Sequence, residues 1–179
     1  MREKDRAVRL AKQTLEHVWD GTLPVRPDRL AGRILMSVTK EGSKHSYPIR
    51  MEARSEWDLT GASGEARCME EDREPHYLCL YNADEHPTRQ RFTMAHELGH
   101  VMLGHVKPGE PAWRDMTFNS YNDINEIAAN AYAAELLMPE ARLREYAELT
   151  DDVAQLAGTF GVSPSAVTNR LRNLGIIDV

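Results

Sequence analysis

The chain has 179 residues, of which 41% are hydrophobic and 28% are charged. These values are typical of a globular protein of about one domain and exclude an intrinsically disordered chain. Its 22 basic and 28 acidic side chains leave a formal net charge of −6, which excludes nucleic-acid binding through overall positive charge.

The cellular compartment is indicated by what the sequence lacks. No stretch approaches the ~18 uncharged apolar residues of a membrane span. The N-terminal sequence MREKDRAVRL has no apolar signal-peptide core. The two cysteines, Cys68 and Cys79, form no C-x-x-C pair, and we expect reduced thiols. We therefore expect a cytoplasmic protein that makes no membrane contact and consists of a single domain, residues 1–179.

The first half of the chain, residues 1–86, predicts one long helix followed by short strands. Apolar residues recur at helical spacing from residue 3 to 19, and Gly21 follows as a stop signal. A short second helix is expected at 28–32. The strands are expected at 33–40, 47–53, 66–69 and 76–81. Between the second and third strands, the polar segment carries Gly61 and Gly64 and is predicted to be a loop.

The second half, residues 87–179, predicts helices. Pro87 suits the first position of a helix that runs to about Leu103, with Gly104 just past its end. A long irregular loop is expected over 106–122. The later helices are expected at 123–138, from Pro139, from a cap at Thr150 to Gly161, and from Ser163 to Gly175. Strands followed by helices indicate an α+β fold with a small antiparallel or mixed sheet.

An H-E-x-x-H motif, His-Glu-Leu-Gly-His, lies in the middle of the predicted helix 87–103. His96 and His100 are one turn apart on the same face, so their imidazoles can bind one Zn²⁺ ion. Glu97 is offset by about 100° and can reach a water molecule at the metal without binding the metal, as a general base must. The alternative, two solvated histidines on a surface helix, is disfavoured because the rest of the helix has an apolar side.

A third ligand must come from elsewhere, because catalytic zinc usually has three protein ligands. The extended motif H-E-x-x-H-x-x-G-x-x-H is absent, since Leu103 and Val106 occupy the positions of its Gly and last His. Glu126, in the first turn of the next long helix, is the best later acid, and Asn130 follows one turn on to orient a ligand. A capping box formed by Asp123 and Glu126 is the alternative, which the spacing leaves open.

Residues 91–100 read RFTMAHELGH, and residues 126–139 read EIAANAYAAELLMP. These two blocks resemble the ImmA/IrrE family of metallopeptidases. Met94 and Tyr132 depart mildly from the usual family pattern, but both keep size and polarity close. The resemblance covers about residues 75–177 well and the N-terminal third weakly. It implies a zincin-like fold, in which the sheet packs on the H-E-x-x-H helix.

The resemblance also implies the roles of the site residues. His96, His100 and Glu126 would be the ligands of one zinc ion per chain, as in gluzincins, and Glu97 would be the catalytic base. We expect a zinc-dependent endopeptidase, reduced to the minimal protease module, whose protein substrate is a helix-turn-helix repressor of a phage or mobile element. The alternative is a zinc-binding regulatory module that controls a transcription factor without proteolysis. Glu97 argues against it, because metal binding alone does not need that residue.

Two residues are candidates for stabilising the oxyanion of the reaction, His105 and Tyr121. Their spacing does not choose between them. His105 is equally well explained as a helix C-terminal histidine that the helix dipole favours.

Two further segments have alternative interpretations. Residues 151–174 have the pattern of a helix-turn-helix, but their cations are only Arg170 and Arg172. We therefore expect this hairpin to pack on the core and do not expect direct nucleic-acid binding. The strand 76–81 directly precedes the metal helix. We expect it to offer an exposed sheet edge to an extended substrate, the alternative being an interior strand.

Overall fold

A five-stranded mixed sheet and the helices around it make up the part of the chain that the computed structural model describes, residues 2–114 and 123–178. The strands are β1 Leu35–Lys40, β2 Ser43–Arg54, β3 Gly64–Met69, β4 His76–Asn82 and β5 Trp113–Arg114. The helices are α1 Glu3–Val18, α2 Pro27–Ala31, α3 Pro87–Leu103, α4 Ile124–Leu137, α5 Glu140–Ala147, α6 Val153–Phe160 and α7 Pro164–Asn173. The predicted α+β class is confirmed. None of the described helices is long and apolar enough to cross a membrane.

The strand order in the sheet is β1-β2-β4-β3-β5. The β2–β4 pair is parallel and the other pairs are antiparallel. Strand β4 therefore has a hydrogen-bonded neighbour on each side, and its residues are almost continuously buried, as both-face coverage requires. The expectation of an exposed edge at 76–81 is wrong. The strand beyond β4 is β3, which β5 covers at Glu65 and Ala66.

Helix α3 lies at the centre of the molecule and packs on β3, β4 and α4. Its contact with α4 is close because Gly99 has no side chain. A Cβ atom there would lie 3.1 Å from Cδ1 of Tyr132 and 3.3 Å from the carbonyl oxygen of Ala129. Tyr132 is fully buried, and its hydroxyl donates to Oγ1 of Thr14 in α1 at 3.0 Å. The three longest helices are thus joined at the core.

The C-terminal hairpin, α6 and α7, packs on the core. Its apolar side chains Leu156, Phe160, Val167 and Leu171 are buried. Arg170 is also buried and forms an ion pair with Glu135 of α4, so it is not available to a nucleic-acid phosphate.

Three local expectations need correction. Asp152, not Thr150, caps α6, because its carboxylate accepts from the backbone N–H groups of Ala154 and Gln155. Strand β2 begins at Ser43, since a tight turn at Glu41 and Gly42, both with positive φ, pairs it directly with β1. The segment predicted to be an irregular loop contains β5 at its centre, paired with β3.

Candidate metal centre

The H-E-x-x-H residues lie on the buried part of α3. Pro87 occupies the first turn, the backbone N–H of Thr88 donates to the His86 ring, and Gly104 ends the helix in the left-handed conformation. These signals set the helix boundaries and leave the motif in the interior. His96 is 4% exposed, and Glu97 and His100 are fully buried, which excludes a solvated surface pair.

Three donor groups meet in one place. Nε2 of His96 lies 3.2 Å from Oε2 of Glu126, Nε2 of His100 lies 3.4 Å from Oε1, and the two Nε2 atoms are 2.9 Å apart. A tetrahedral ion with bonds of about 2.0–2.1 Å separates its ligand atoms by about 3.3 Å, so the donor set fits a zinc-sized ion. The cluster of His96, His100 and Glu126 can hold a metal ion.

The outer nitrogen of each histidine has a partner of its own. Nδ1 of His96 lies 3.0 Å from the amide oxygen of Asn130, and Nδ1 of His100 lies 2.9 Å from Nδ1 of His105. With Nδ1 occupied, each ring turns its Nε2 towards Glu126. Such outer partners fix the tautomer and orientation of metal-binding histidines. Asn130 therefore lies where the sequence predicted it, one turn beyond Glu126.

Glu126 is positioned by Trp113, a contact that no motif or spacing in the sequence predicted. Nε1–H of Trp113 donates to Oε1 of Glu126 at 2.7 Å. The centroid of the Trp113 ring lies 5.1 Å from that of the His100 ring and 5.7 Å from that of the His105 ring. Burial alone raises the pKa of Glu126. Hydrogen bonds with His100, His96 and Trp113 outweigh burial and hold that pKa well below its ordinary value. The carboxylate is therefore ionised, as a metal ligand must be.

The capping alternative is resolved by the same geometry. Asp123 caps α4 by accepting from the backbone N–H of Asn125. The carboxylate of Glu126 instead lies against the two histidines. Position 126 thus places its side chain in the cluster, and position 123 supplies the cap.

Glu97 faces the sheet at the first residue of β3. A Cβ atom on Gly64 would lie 2.6 Å from Oε1 of Glu97 and 2.5 Å from Cγ2 of Thr93. With glycine at that position, strand β3 can pass this close to α3 without displacing the side chains of Glu97 and Thr93. The prediction of a loop at Gly64 is wrong, because a glycine between polar residues is also the ordinary signal of a turn.

The two candidates for stabilising the oxyanion are placed differently. His105 contacts the Nδ1 edge of His100, which is the side of that ring opposite Nε2. Burial, together with the charges of His100 and Arg6, lowers the pKa of His105 to about 4, so its ring is neutral near pH 7. Tyr121 lies outside the described residues.

A known protein family matches the part of the chain that carries these residues. Residues 55–172, well over half of the chain, match the peptidase family M78, described as the IrrE N-terminal-like domain. The chain belongs to this family. The match includes the H-E-x-x-H helix, the helix that carries Glu126 and the C-terminal hairpin. Membership confirms the resemblance that the two sequence blocks indicated.

Curated relatives are similar over part of their length. The chain is 33% identical over 90 residues to "Uncharacterized immunity region protein 2" of Bacillus phage phi105, covering 49% of this chain and 55% of that protein. It is 32% identical over 96 residues to "Radiation response metalloprotease IrrE" of Deinococcus deserti, covering 53% and 32%. The same-named protein of Deinococcus radiodurans is 35% identical over 78 residues, covering 41% and 23%. The chain thus spans about half or less of these relatives. Family membership and the buried cluster support a metallopeptidase-type function.

Proposed function

We propose that this chain is a zinc-dependent endopeptidase in which His96, His100 and Glu126 bind the ion and Glu97 is the general base. The observation that carries the proposal is that two Nε2 atoms and one carboxylate lie together in a buried cluster. Each of the three side chains is oriented by a hydrogen-bonding partner outside the cluster. Two imidazoles and one carboxylate form a set that suits zinc and leaves a fourth position for the reaction.

The chemistry is divided between the ion and the side chains. Zinc, when bound, supplies Lewis-acid activation of water and of the peptide carbonyl. Glu97 removes the proton of the attacking water and returns it to the leaving amine. Strand β3 holds the Glu97 carboxylate in place through the close approach of Gly64. His105, being neutral and in contact with Nδ1 of His100, orients that ligand, and we assign it this role in preference to oxyanion stabilisation.

We propose that the substrate is a helix-turn-helix transcriptional repressor. We also propose that the protein acts in the cytoplasm. The name of the phage relative refers to an immunity region, and the names of the Deinococcus relatives refer to a radiation response. Both names support a substrate among regulatory proteins. The chain would act as one catalytic domain, with the sheet and the helical half on either side of α3.

Glu97→Gln tests the enzymatic function directly. The amide keeps the shape of the side chain but takes no proton, so the variant should retain zinc and lose about 10²–10⁴ in cleavage rate. Purified parent and variant are incubated with the helix-turn-helix repressors encoded beside the gene, and the fragments are identified by mass spectrometry. A pull-down on the same proteins should show that the variant still binds the repressor.

The control is the zinc content of both proteins, measured by elemental analysis, which should be equal. Cleavage by Glu97→Gln at the rate of the parent would show that Glu97 is not the general base. If the variant regulates its partner in cells as well as the parent does, the function is regulation by binding and not proteolysis.

A further inference from the structure

A groove between α3, α4 and α7, with a volume of about 480 Å³, lies beside His96 on the helical side of the candidate metal centre. We propose that this groove is the specificity pocket of the peptidase and that it takes a large apolar side chain of the substrate next to the cleaved bond. The proposal rests on the function proposed above. It assigns the C-terminal hairpin a role in substrate selection.

Two residues of the groove contact His96 of the candidate metal centre. Phe92 lines the groove, and its ring is stacked on that of His96 at a centroid distance of 6.4 Å. Asn130 also lines the groove, is exposed to it, and contacts Nδ1 of His96. The groove thus adjoins the Nδ1 side of His96, and in the proposed binding mode a polypeptide bound at the metal extends an adjacent side chain past this ring into the groove.

The chemistry of the lining selects an uncharged side chain. The apolar part of the wall consists of Phe92, Ala134, Met138, Val162 and Ala166. None of the described lining residues is acidic, so a basic side chain has no partner there. The two arginines of the lining already have partners, Arg170 with Glu135 and Arg89 with the hydroxyl of Ser63. The rest of the lining is polar and supplies hydroxyl, amide and guanidinium groups. A cavity of this volume, with an apolar wall and polar groups that can orient a ligand, is in the range of small-ligand sites.

The α7 wall is held in place before any substrate arrives. Ser163 caps α7 by accepting from the backbone N–H of Ala166. Arg170 binds the carboxylate of Glu135 and lies 3.4 Å from the carbonyl oxygen of Met138, which joins α7 to α4. A preformed wall discriminates between side chains because little ordering accompanies binding.

The test uses amino-acid hydroxamates, because a hydroxamate binds zinc while its side chain is varied. Phenylalanine hydroxamate and glycine hydroxamate are titrated into the zinc-loaded protein by isothermal titration calorimetry. We expect the phenylalanine compound to bind at least tenfold more tightly. Ala166→Phe fills the groove from α7 and should abolish this difference without changing the affinity for glycine hydroxamate. Ala134→Phe fills it from α4 and serves if the first variant does not fold.

The matched control is Ala154→Phe, the same substitution at an exposed position of α6 outside the groove, which should keep the full difference. Equal affinities of the two hydroxamates, or a difference that survives both filled variants, would overturn the pocket. Failure of both compounds to bind would overturn the pocket together with the metal centre. If the difference between the hydroxamates depends on the groove but no repressor is cleaved, the proposed protease function fails, and what stands is a binding site for an apolar side chain beside the metal.

Discussion

Trp113 is the residue whose contacts most directly affect Glu126, the proposed third metal donor. Its indole donates to the Glu126 oxygen that faces His100 and packs over two histidine rings. Trp113→Phe keeps an aromatic ring but removes the N–H donor. Loss of an outer hydrogen bond typically costs 10–100-fold in metal affinity, and we expect a decrease in that range. Competition with a chelator of known zinc affinity measures it.

Trp57→Phe is the control for the tryptophan variant, because Trp57 is 89% exposed. It should leave zinc affinity unchanged. Thermal unfolding of the metal-free proteins separates a role at the metal from a structural one, since Trp113→Phe should unfold near the parent temperature. Parent-like zinc affinity in Trp113→Phe would show that the hydrogen bond does not position Glu126.

Gly64 provides a second test at the scale of one residue. In Gly64→Ala the added methyl group would overlap the Glu97 carboxylate and the Thr93 methyl group, both ends of side chains that can move. We expect the variant to fold and to bind zinc, but to lose at least tenfold in cleavage rate because the base is displaced. Gly158→Ala is the matched control, since a Cβ atom there meets nothing within 4 Å. Full activity in Gly64→Ala would mean that Glu97 tolerates displacement.

At the scale of elements, the ion pair of Glu135 and Arg170 joins α4 to α7. Both side chains are buried, so removing one partner leaves a buried charge without compensation. Glu135→Leu should lower the free energy of unfolding by about 3–5 kcal/mol, measured by urea denaturation. The double variant Glu135→Leu/Arg170→Met should lose less than the single variant, because no charge remains buried.

The zinc content is the internal control of this pair. Glu135 lies two and a half turns beyond Glu126, on the opposite side of α4, so both variants should bind zinc like the parent. A double variant less stable than either single one would show that the hydrogen bonds of the pair, including the one Glu135 accepts from the backbone N–H of Glu140, outweigh its desolvation cost.

The features that could be predicted from the sequence depend on residues close together in the chain. Helix α3 and its two histidines follow from a spacing of four residues, and α4 with Glu126 and Asn130 follows from its caps and the family pattern. The contacts that could not be predicted join segments that are far apart in the sequence. Trp113 reaches Glu126 from a strand of two residues, and the interior position of β4 depends on the parallel pairing of β2 with β4. No local pattern specifies which strands become neighbours.

At the scale of the whole molecule, the candidate metal centre joins the two helices on which the core is built. His96 and His100 come from α3 and Glu126 from α4, and these helices pack closely through Gly99. A ligand that binds only the folded state at 1,000 times its Kd stabilises the protein by about 4 kcal/mol. For a chain of this length each kcal/mol corresponds to about 2–4 °C, so zinc should raise the melting temperature by roughly 8–16 °C.

Calorimetric melting of metal-free protein with and without added Zn²⁺ measures this shift. His100→Ala should abolish it, because the remaining two donors hold the ion weakly. His45→Ala, at an exposed position in β2 remote from the cluster, should retain it in full. An unchanged melting temperature of the parent on addition of zinc would contradict the metal centre. A shift of the same size in His100→Ala would place the ion at other residues.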